Sequence, residues 1–132
     1  MQTLNQDIQT GQFHHVYLLY GEETYLRLFF RNRLHQAIVG EDTMNYHYFS
    51  GKNIDLSVVK ELAQTMPFFV EHRLILIEDS GLFKSASEDW VQFLDELSEF
   101  TCVIFVETEV DKRNRLYKKV NTMGYAACLN RQ

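Results

Sequence analysis

The sequence predicts an α/β fold: a five-stranded, mostly parallel sheet with helices on both faces. Two observations lead to this prediction. Short apolar runs alternate along the chain with segments whose apolar residues recur at helical spacing. The runs are apolar throughout, which is typical of strands buried on both faces of a sheet by crossover helices. A length of 132 residues, with 45% apolar and 23% charged residues, favours a single domain over residues 1–132.

Five runs are predicted as strands. The first covers residues 16–20 and stops at Gly21. The second is a weaker candidate, because it is mainly aromatic and contains His47. The predicted strands after the first are residues 46–49, 74–77, 102–106 and 125–129.

Four helices are predicted between the strands, over residues 26–38, 58–66, 90–97 and 116–123. Pro67 biases the residue before it away from the α region, so the second helix is expected to end at Met66. The third helix is expected to start from a cap on Ser85 or Ser87, and the fourth from a cap on Asp111.

The link between the second helix and the third strand carries large apolar side chains where turn residues are usual. It reads Met66-Pro67-Phe68-Phe69, and Pro67 is the only proline of the chain. Two interpretations are open. Either the two rings fold back into the domain's own core, or a rigid turn displays them as an anchor for a partner's pocket.

Composition argues against several classes of protein. The formal net charge of −5 disfavours a free-standing nucleic-acid binder, which needs a basic surface. The polar N-terminus has no signal-peptide pattern, and no apolar run has the length of a membrane span. Cys102 and Cys128 lie in apolar runs, where free cysteines act as small hydrophobes. We therefore expect a cytoplasmic, reduced protein with no membrane partner.

The turn after the first strand is where a phosphate-binding loop would lie in this kind of sheet. Such a loop needs spaced glycines and usually a lysine followed by a hydroxyl residue. Here a single glycine, Gly21, precedes two carboxylates, Glu22 and Glu23, and no lysine follows. Ordinary nucleotide binding is not expected at this turn, and no cofactor is expected.

The pair Glu78 and Asp79 follows the third strand, where a nucleotide-hydrolysing domain would hold magnesium. Without a phosphate loop, capping or turn formation is the favoured role. A small nucleotide-binding or phosphotransfer enzyme that uses this pair remains the alternative function. A receiver-like signalling domain is a third possibility, but the aspartates that it would need after the first strand are missing.

Other chemistry-bearing residues form no recognisable site. The histidines lack the spacing of a helical metal site, so surface or half-buried positions and no metal are expected: His14, His15, His35, His47 and His72. No motif resembles an activated nucleophile, so no catalytic residue is predicted. Basic residues cluster near the last helix, as a solvated face or as a contact for an acidic partner or a nucleic-acid backbone: Lys112, Arg113, Arg115, Lys118 and Lys119.

Three blocks of the sequence, in the same order, resemble the delta subunit of bacterial DNA polymerase III. They are residues 16–23 (VYLLYGEE), residues 66–74 (MPFFVEHRL) and residues 111–118 (DKRNRLYK). The resemblance implies the N-terminal AAA+ domain of a clamp-loader subunit that lacks a working phosphate loop. It also implies a helical lid and a collar domain that residues 1–132 do not contain. The fragment is then expected to be a monomer, whose contacts with other clamp-loader subunits would lie in the missing domains.

The resemblance also implies a partner, the sliding clamp, and a binding element between the second helix and the third strand. By that match, Gln64 would hydrogen-bond at the edge of the clamp pocket and Met66 would fill a subsite. Phe68 and Phe69, held by Pro67, would form the wedge. Phe68 departs from the pattern, because a leucine is common there.

The function that the resemblance implies is mechanical. The domain would bind the clamp and stabilise an opened ring for loading onto DNA, while other subunits hydrolyse ATP. It would be a non-catalytic part of a DNA polymerase holoenzyme, and any contact with DNA would be indirect or would arise in the full complex.

Overall fold

The computed structural model describes residues 1–85 and 87–130 of the chain. Within these residues, five strands form one sheet in the order β2-β3-β4-β1-β5, and every neighbouring pair is parallel. This confirms the predicted α/β fold. The strands are β1 (Val16–Tyr20), β2 (Tyr46–Ser50), β3 (Arg73–Glu78), β4 (Thr101–Glu107) and β5 (Tyr125–Cys128).

The burial of the three central strands explains why their apolar runs are continuous in the sequence. Every residue of β1, β3 and β4 is buried, because helices cover both faces of the sheet there. The edge strands β2 and β5 are only partly covered. The weaker pattern of β2 therefore reflects its position at the edge.

Helices lie on both faces of the sheet. On one face, Leu4 of the first helix and Phe30 and Leu34 of the second pack on Tyr17 and Leu19 of β1. On the other face, residues of three helices pack on the opposite side of the strands. The helices are α1 (Gln2–Thr10), α2 (Thr24–Val39), α3 (Leu56–Gln64), α4 (Glu88–Asp95) and α5 (Arg115–Met123), with a short 3₁₀ turn over Leu82–Lys84.

Helix α1 is absent from the sequence-based prediction. Its segment is polar, with Leu4 and Ile8 as its main apolar positions, so periodicity gave little signal. A buried hydrogen bond of 2.7 Å from the Tyr17 hydroxyl to Asp7 ties the helix to the sheet. The interaction that fixes α1 is therefore non-local.

Three predicted helix boundaries were wrong. Helix α4 ends at Asp95 rather than at Leu97, with Glu96 in the C-cap position. Helix α3 ends at Gln64 rather than at Met66, because Thr65 already has an extended backbone (φ −83°, ψ 129°). Helix α5 begins from Asn114 rather than from Asp111, since the Asn114 side chain accepts the amide hydrogen bonds of the first turn.

Details at two other positions also differ from expectation. Ser87 occupies the cap position of α4, but its hydroxyl donates to the Leu82 carbonyl instead of capping the helix. Cys102 is buried as expected, whereas Cys128 is exposed because it lies on the edge strand β5.

Candidate functional site

The link from α3 to β3 is the most apolar exposed segment that the structure describes. Met66 is 74% exposed, Phe68 52% and Phe69 90%. Gln64 is exposed at the end of α3 and Pro67 is half-buried. We call residues 64–70 the aromatic turn.

Both rings of the aromatic turn face away from the core. Phe69 has a left-handed backbone (φ 65°), which is uncommon for a bulky residue. The rings of Phe68 and Phe69 meet edge to face with centroids 4.2 Å apart. The interpretation that both rings fold into the core is therefore wrong, and the displayed-turn interpretation agrees with the geometry.

Asn45, just before β2, holds the middle of the aromatic turn. Its fully buried side chain accepts from the Phe68 amide at 2.6 Å and donates to the Phe68 carbonyl at 2.9 Å. The same amide group donates to Asp42 at 2.7 Å, and this bond lowers the pKa of the Asp42 carboxyl. The Asn45 side chain thus bonds both the amide and the carbonyl of Phe68, as a residue of a neighbouring strand does in a hydrogen-bonded pair.

Arg73, the first residue of β3, holds the start of the aromatic turn. Its buried guanidinium donates to the carbonyls of Thr65 and Met66 at 2.8 and 2.9 Å. A third contact joins its Nη1 to Nε2 of His47 at 2.6 Å. Burial, and then the charge of Arg73, lower the pKa of His47, so its neutral form is favoured as the acceptor.

Sequence reasoning singled out neither Asn45 nor Arg73 as part of this site. Asn45 lies 23 residues from Phe68, and no local pattern reports so distant a contact. Arg73 gave a partial signal, because a charged residue at the start of a buried strand needs partners.

The turn after β1 is closed by the chain itself. The Glu22 amide donates to the Asn130 side chain at 3.1 Å, and the Glu23 amide donates to the Leu129 carbonyl at 3.1 Å. A Cβ at Gly21 would lie 2.5 Å from that carbonyl. Backbone amides that would face a phosphate in a phosphate loop are therefore already used.

Glu78 is held by its neighbours at the carboxyl edge of the sheet. Its carboxylate accepts from Arg31 at 2.5 Å and from the Tyr48 hydroxyl at 2.6 Å. Asp79 is exposed and has a left-handed backbone (φ 55°), as expected for a turn residue. These contacts favour the predicted structural role of the pair.

The cleft beside this pair has a volume of about 230 Å³, below the usual range for ligand pockets. Arg27 extends along it and donates to the hydroxyls of Thr24 and Thr108. Sequence reasoning missed Glu107, a buried carboxylate at the end of β4 whose burial raises its pKa. Glu107 accepts from Ser80 and from the Gly81 amide, so it also organises the loop after β3.

Acidic side chains neutralise much of the basic cluster near α5. Arg113 pairs with Asp111, Arg115 with Glu88, and Lys119 with Asp95. A largely paired surface gives less attraction to a phosphate backbone than the sequence count suggests.

The histidines are dispersed, as predicted. His15 is exposed, and the others are half-buried with separate neighbours such as Asp7 for His14 and Tyr46 for His35. Among residues 1–85 and 87–130, no group of three or more His, Cys, Asp or Glu side chains is placed to hold a metal ion. None of the helices described there is long and apolar enough to cross a bilayer.

The strand order and the first turn define a parallel five-stranded α/β domain in which the chain itself bonds the amides after β1. The family model for DNA polymerase III, delta subunit, matches residues 17–129. The chain belongs to this family.

Known relatives agree with this assignment. The chain is 32% identical over 134 residues to DNA polymerase III subunit delta of Bacillus subtilis (strain 168), covering 91% of this chain and 38% of that protein. The structure of a Bacillus subtilis DNA clamp loader delta protein superposes with a TM-score of 0.87 at 21% identity, over 99% of this chain and 42% of that chain. A DNA polymerase III gamma subunit-related protein of Thermotoga maritima shares the fold, with a TM-score of 0.64 at 13% identity, over 99% and 46%. The chain thus spans about two fifths of the length of the delta proteins it matches.

Proposed function

We propose that this domain binds the sliding clamp through the aromatic turn and stabilises an opened clamp ring for loading onto DNA. The observation that carries the proposal is the 90% exposure of Phe69 on a backbone that is held in place. Burying an aromatic ring in a partner's pocket supplies about 1.5–3 kcal/mol before ordering costs. Large rings on ordered backbone are typical of the residues that dominate binding energy.

Each residue of the proposed site has a separate role. Phe69 and Phe68 enter the apolar pocket of the clamp, with Phe69 contributing more because Phe68 is partly covered by its own domain. Met66 fills a neighbouring subsite, and Gln64 hydrogen-bonds at the edge of the pocket. Pro67 restricts the backbone between them, which lowers the ordering cost of binding.

Clamp opening follows from a difference in affinity. A ligand shifts an equilibrium only by binding one state better than the other, so the domain must bind the opened clamp more tightly than the closed clamp. The domain itself does not hydrolyse ATP in this proposal, since the amides of Glu22 and Glu23 are already bonded within the chain. The alternative of a phosphotransfer enzyme has little support, because the Glu78 carboxylate already accepts hydrogen bonds from Arg31 and Tyr48.

The surroundings of this function are also proposals. Other clamp-loader subunits would supply ATP hydrolysis and control access to the aromatic turn. Contact with DNA would be indirect, consistent with the pairing of Arg113, Arg115 and Lys119 to acidic side chains. We place the protein in the cytoplasm with the replication machinery.

The proposal is tested by replacing Phe68 and Phe69 with alanine together. Clamp binding is measured by surface plasmon resonance and folding by thermal denaturation of the same samples. We expect binding to be abolished. We expect the free energy of unfolding to change by no more than about 0.5 kcal/mol, as at surface sites, instead of the roughly 3–5 kcal/mol of a core ring.

Tyr25→Ala is the matched control, because Tyr25 is a 67% exposed ring on α2, outside the aromatic turn. It should leave clamp binding unchanged. A folded double variant that still binds the clamp with native affinity would contradict the proposed site.

A further inference from the structure

Two buried side chains at the amino edge of the sheet bond the backbone of the aromatic turn, and a third bonds the last turn of α3 just before it. They are Asn45 before β2, Arg73 at the start of β3 and Thr101 at the start of β4. Thr101 donates to the Ala63 carbonyl at 2.5 Å in the last turn of α3. We infer that Asn45 and Arg73 are positioning residues for clamp binding, which hold the turn in its binding geometry before the clamp arrives; this inference rests on the proposed function.

The contacts bond the backbone of three residues of the turn, Thr65, Met66 and Phe68. Arg73 binds the carbonyls of two consecutive residues, Thr65 and Met66. Asn45 binds both polar groups of Phe68. The residue that follows, Phe69, then takes a left-handed backbone that an unrestrained phenylalanine rarely adopts.

The chemistry of these two residues suits this task. An asparagine amide offers one acceptor and two donors, and Asn45 uses them on Phe68 and Asp42. The rigid fork of arginine reaches two carbonyls at once, which a lysine cannot do with fixed geometry. Neither side chain is accessible to a partner, since Asn45 is 0% and Arg73 5% exposed. Any effect of these residues on clamp affinity must therefore act through the turn.

Pre-ordering changes affinity because a mobile turn must lose its freedom when it binds. Ordering one side chain and its backbone costs enough to change affinity by roughly three- to tenfold. Releasing the turn should weaken clamp binding by about that factor while leaving the exposed rings chemically unchanged.

The test compares Asn45→Ala with Asn114→Ala in the purified protein. Asn114 is a partly buried asparagine that also bonds backbone groups, but at α5. Two quantities are measured: clamp affinity by surface plasmon resonance, and hydrogen exchange of the Phe68 amide by NMR without the clamp. We expect Asn45→Ala to weaken clamp affinity roughly three- to tenfold and to speed Phe68 exchange, and Asn114→Ala to change neither.

A second variant, Arg73→Lys, keeps the charge and most of the side chain, so it tests the inference even if Asn45→Ala does not fold. It should also weaken clamp affinity. Native affinity in Arg73→Lys or in folded Asn45→Ala would overturn the inference, as would an equal loss in Asn114→Ala. If the unaltered protein does not bind the clamp, the proposed function fails. In that case unchanged Phe68 exchange in Asn45→Ala would separately overturn the pre-ordering.

Discussion

At the scale of single residues, the contrast between Phe69 and Asn45 shows how the site divides its work. Phe69 is almost fully exposed and presents an apolar ring to solvent. Asn45 is fully buried, and its side-chain amide hydrogen-bonds Phe68 and Asp42. In the proposed clamp-binding site, the side chain offered to the partner and the side chain that shapes the turn are therefore different residues. A substitution at Phe69 should therefore change only clamp affinity. A substitution at Asn45 should also change amide exchange of the turn in the free protein.

His47 makes stability depend on pH. Its pKa in the folded protein is lowered by burial and by Arg73, so the unfolded chain takes up a proton more readily. Because the unfolded state binds more protons, stability is full above the ordinary histidine pKa of about 6.5 and is lost as pH falls below it. His35 shifts in the same direction, through burial and Arg31.

We therefore expect His47→Gln, which keeps an acceptor for Arg73, to reduce the loss of stability between about pH 7.5 and pH 5.5. The free energy of unfolding of both proteins is measured by urea denaturation at the two pH values. His35 stays in both proteins, so their difference isolates His47. An identical pH dependence in the two proteins would show that His47 does not contribute.

At the scale of elements, the start of α5 depends on which residue caps the helix. Asn114 accepts from the amides of Leu116 and Tyr117, whereas Asp111 bonds Arg113 in the preceding turn. We expect Asn114→Ala to lower the free energy of unfolding by about 1 kcal/mol and Asp111→Ala by clearly less. Urea denaturation of both variants measures the two free energies of unfolding. A larger loss in Asp111→Ala would show that Asp111 caps α5, as the sequence suggested.

The elements also show what the sequence could predict. Within residues 1–85 and 87–130, all five strands and four of the five α-helices follow from apolar runs and helical periodicity. The signal is clearest for the central strands, because they are buried on both faces. Helix α1 could not be found, since its attachment depends on the distant pair Tyr17 and Asp7. The aromatic turn was visible as misplaced apolar residues. The bond from Asn45 to the turn and the bond from Thr101 to the end of α3 were not visible, because contacts across 23 and 38 residues leave no local pattern.

At the scale of the whole molecule, the two ends of the sheet have different properties. The carboxyl edge, where nucleotides bind in related folds, is closed by Leu129, Asn130 and Arg27. The aromatic turn lies at the opposite, amino edge. The proposed binding surface is therefore separated from the closed nucleotide position by the length of the strands.

This arrangement predicts that the protein does not bind ATP. Isothermal titration with ATP and Mg²⁺ should give no heat of binding in the micromolar range, because the amides of Glu22 and Glu23 are occupied and carboxylates line the cleft. An active P-loop ATPase run in parallel serves as the positive control. Micromolar affinity for ATP would instead favour the enzyme that uses Glu78 and Asp79.

The left-handed backbone at Phe69 has a consequence for inhibitor design. A linear synthetic peptide that copies residues 64–69 has the same side chains, but in water it favours negative φ at the phenylalanine that ends it. Under the proposed function, such a peptide would compete for the clamp pocket only weakly, because each binding event must first select a rare conformer. A macrocycle that enforces positive φ at that position would supply what Asn45 and Arg73 supply in the protein.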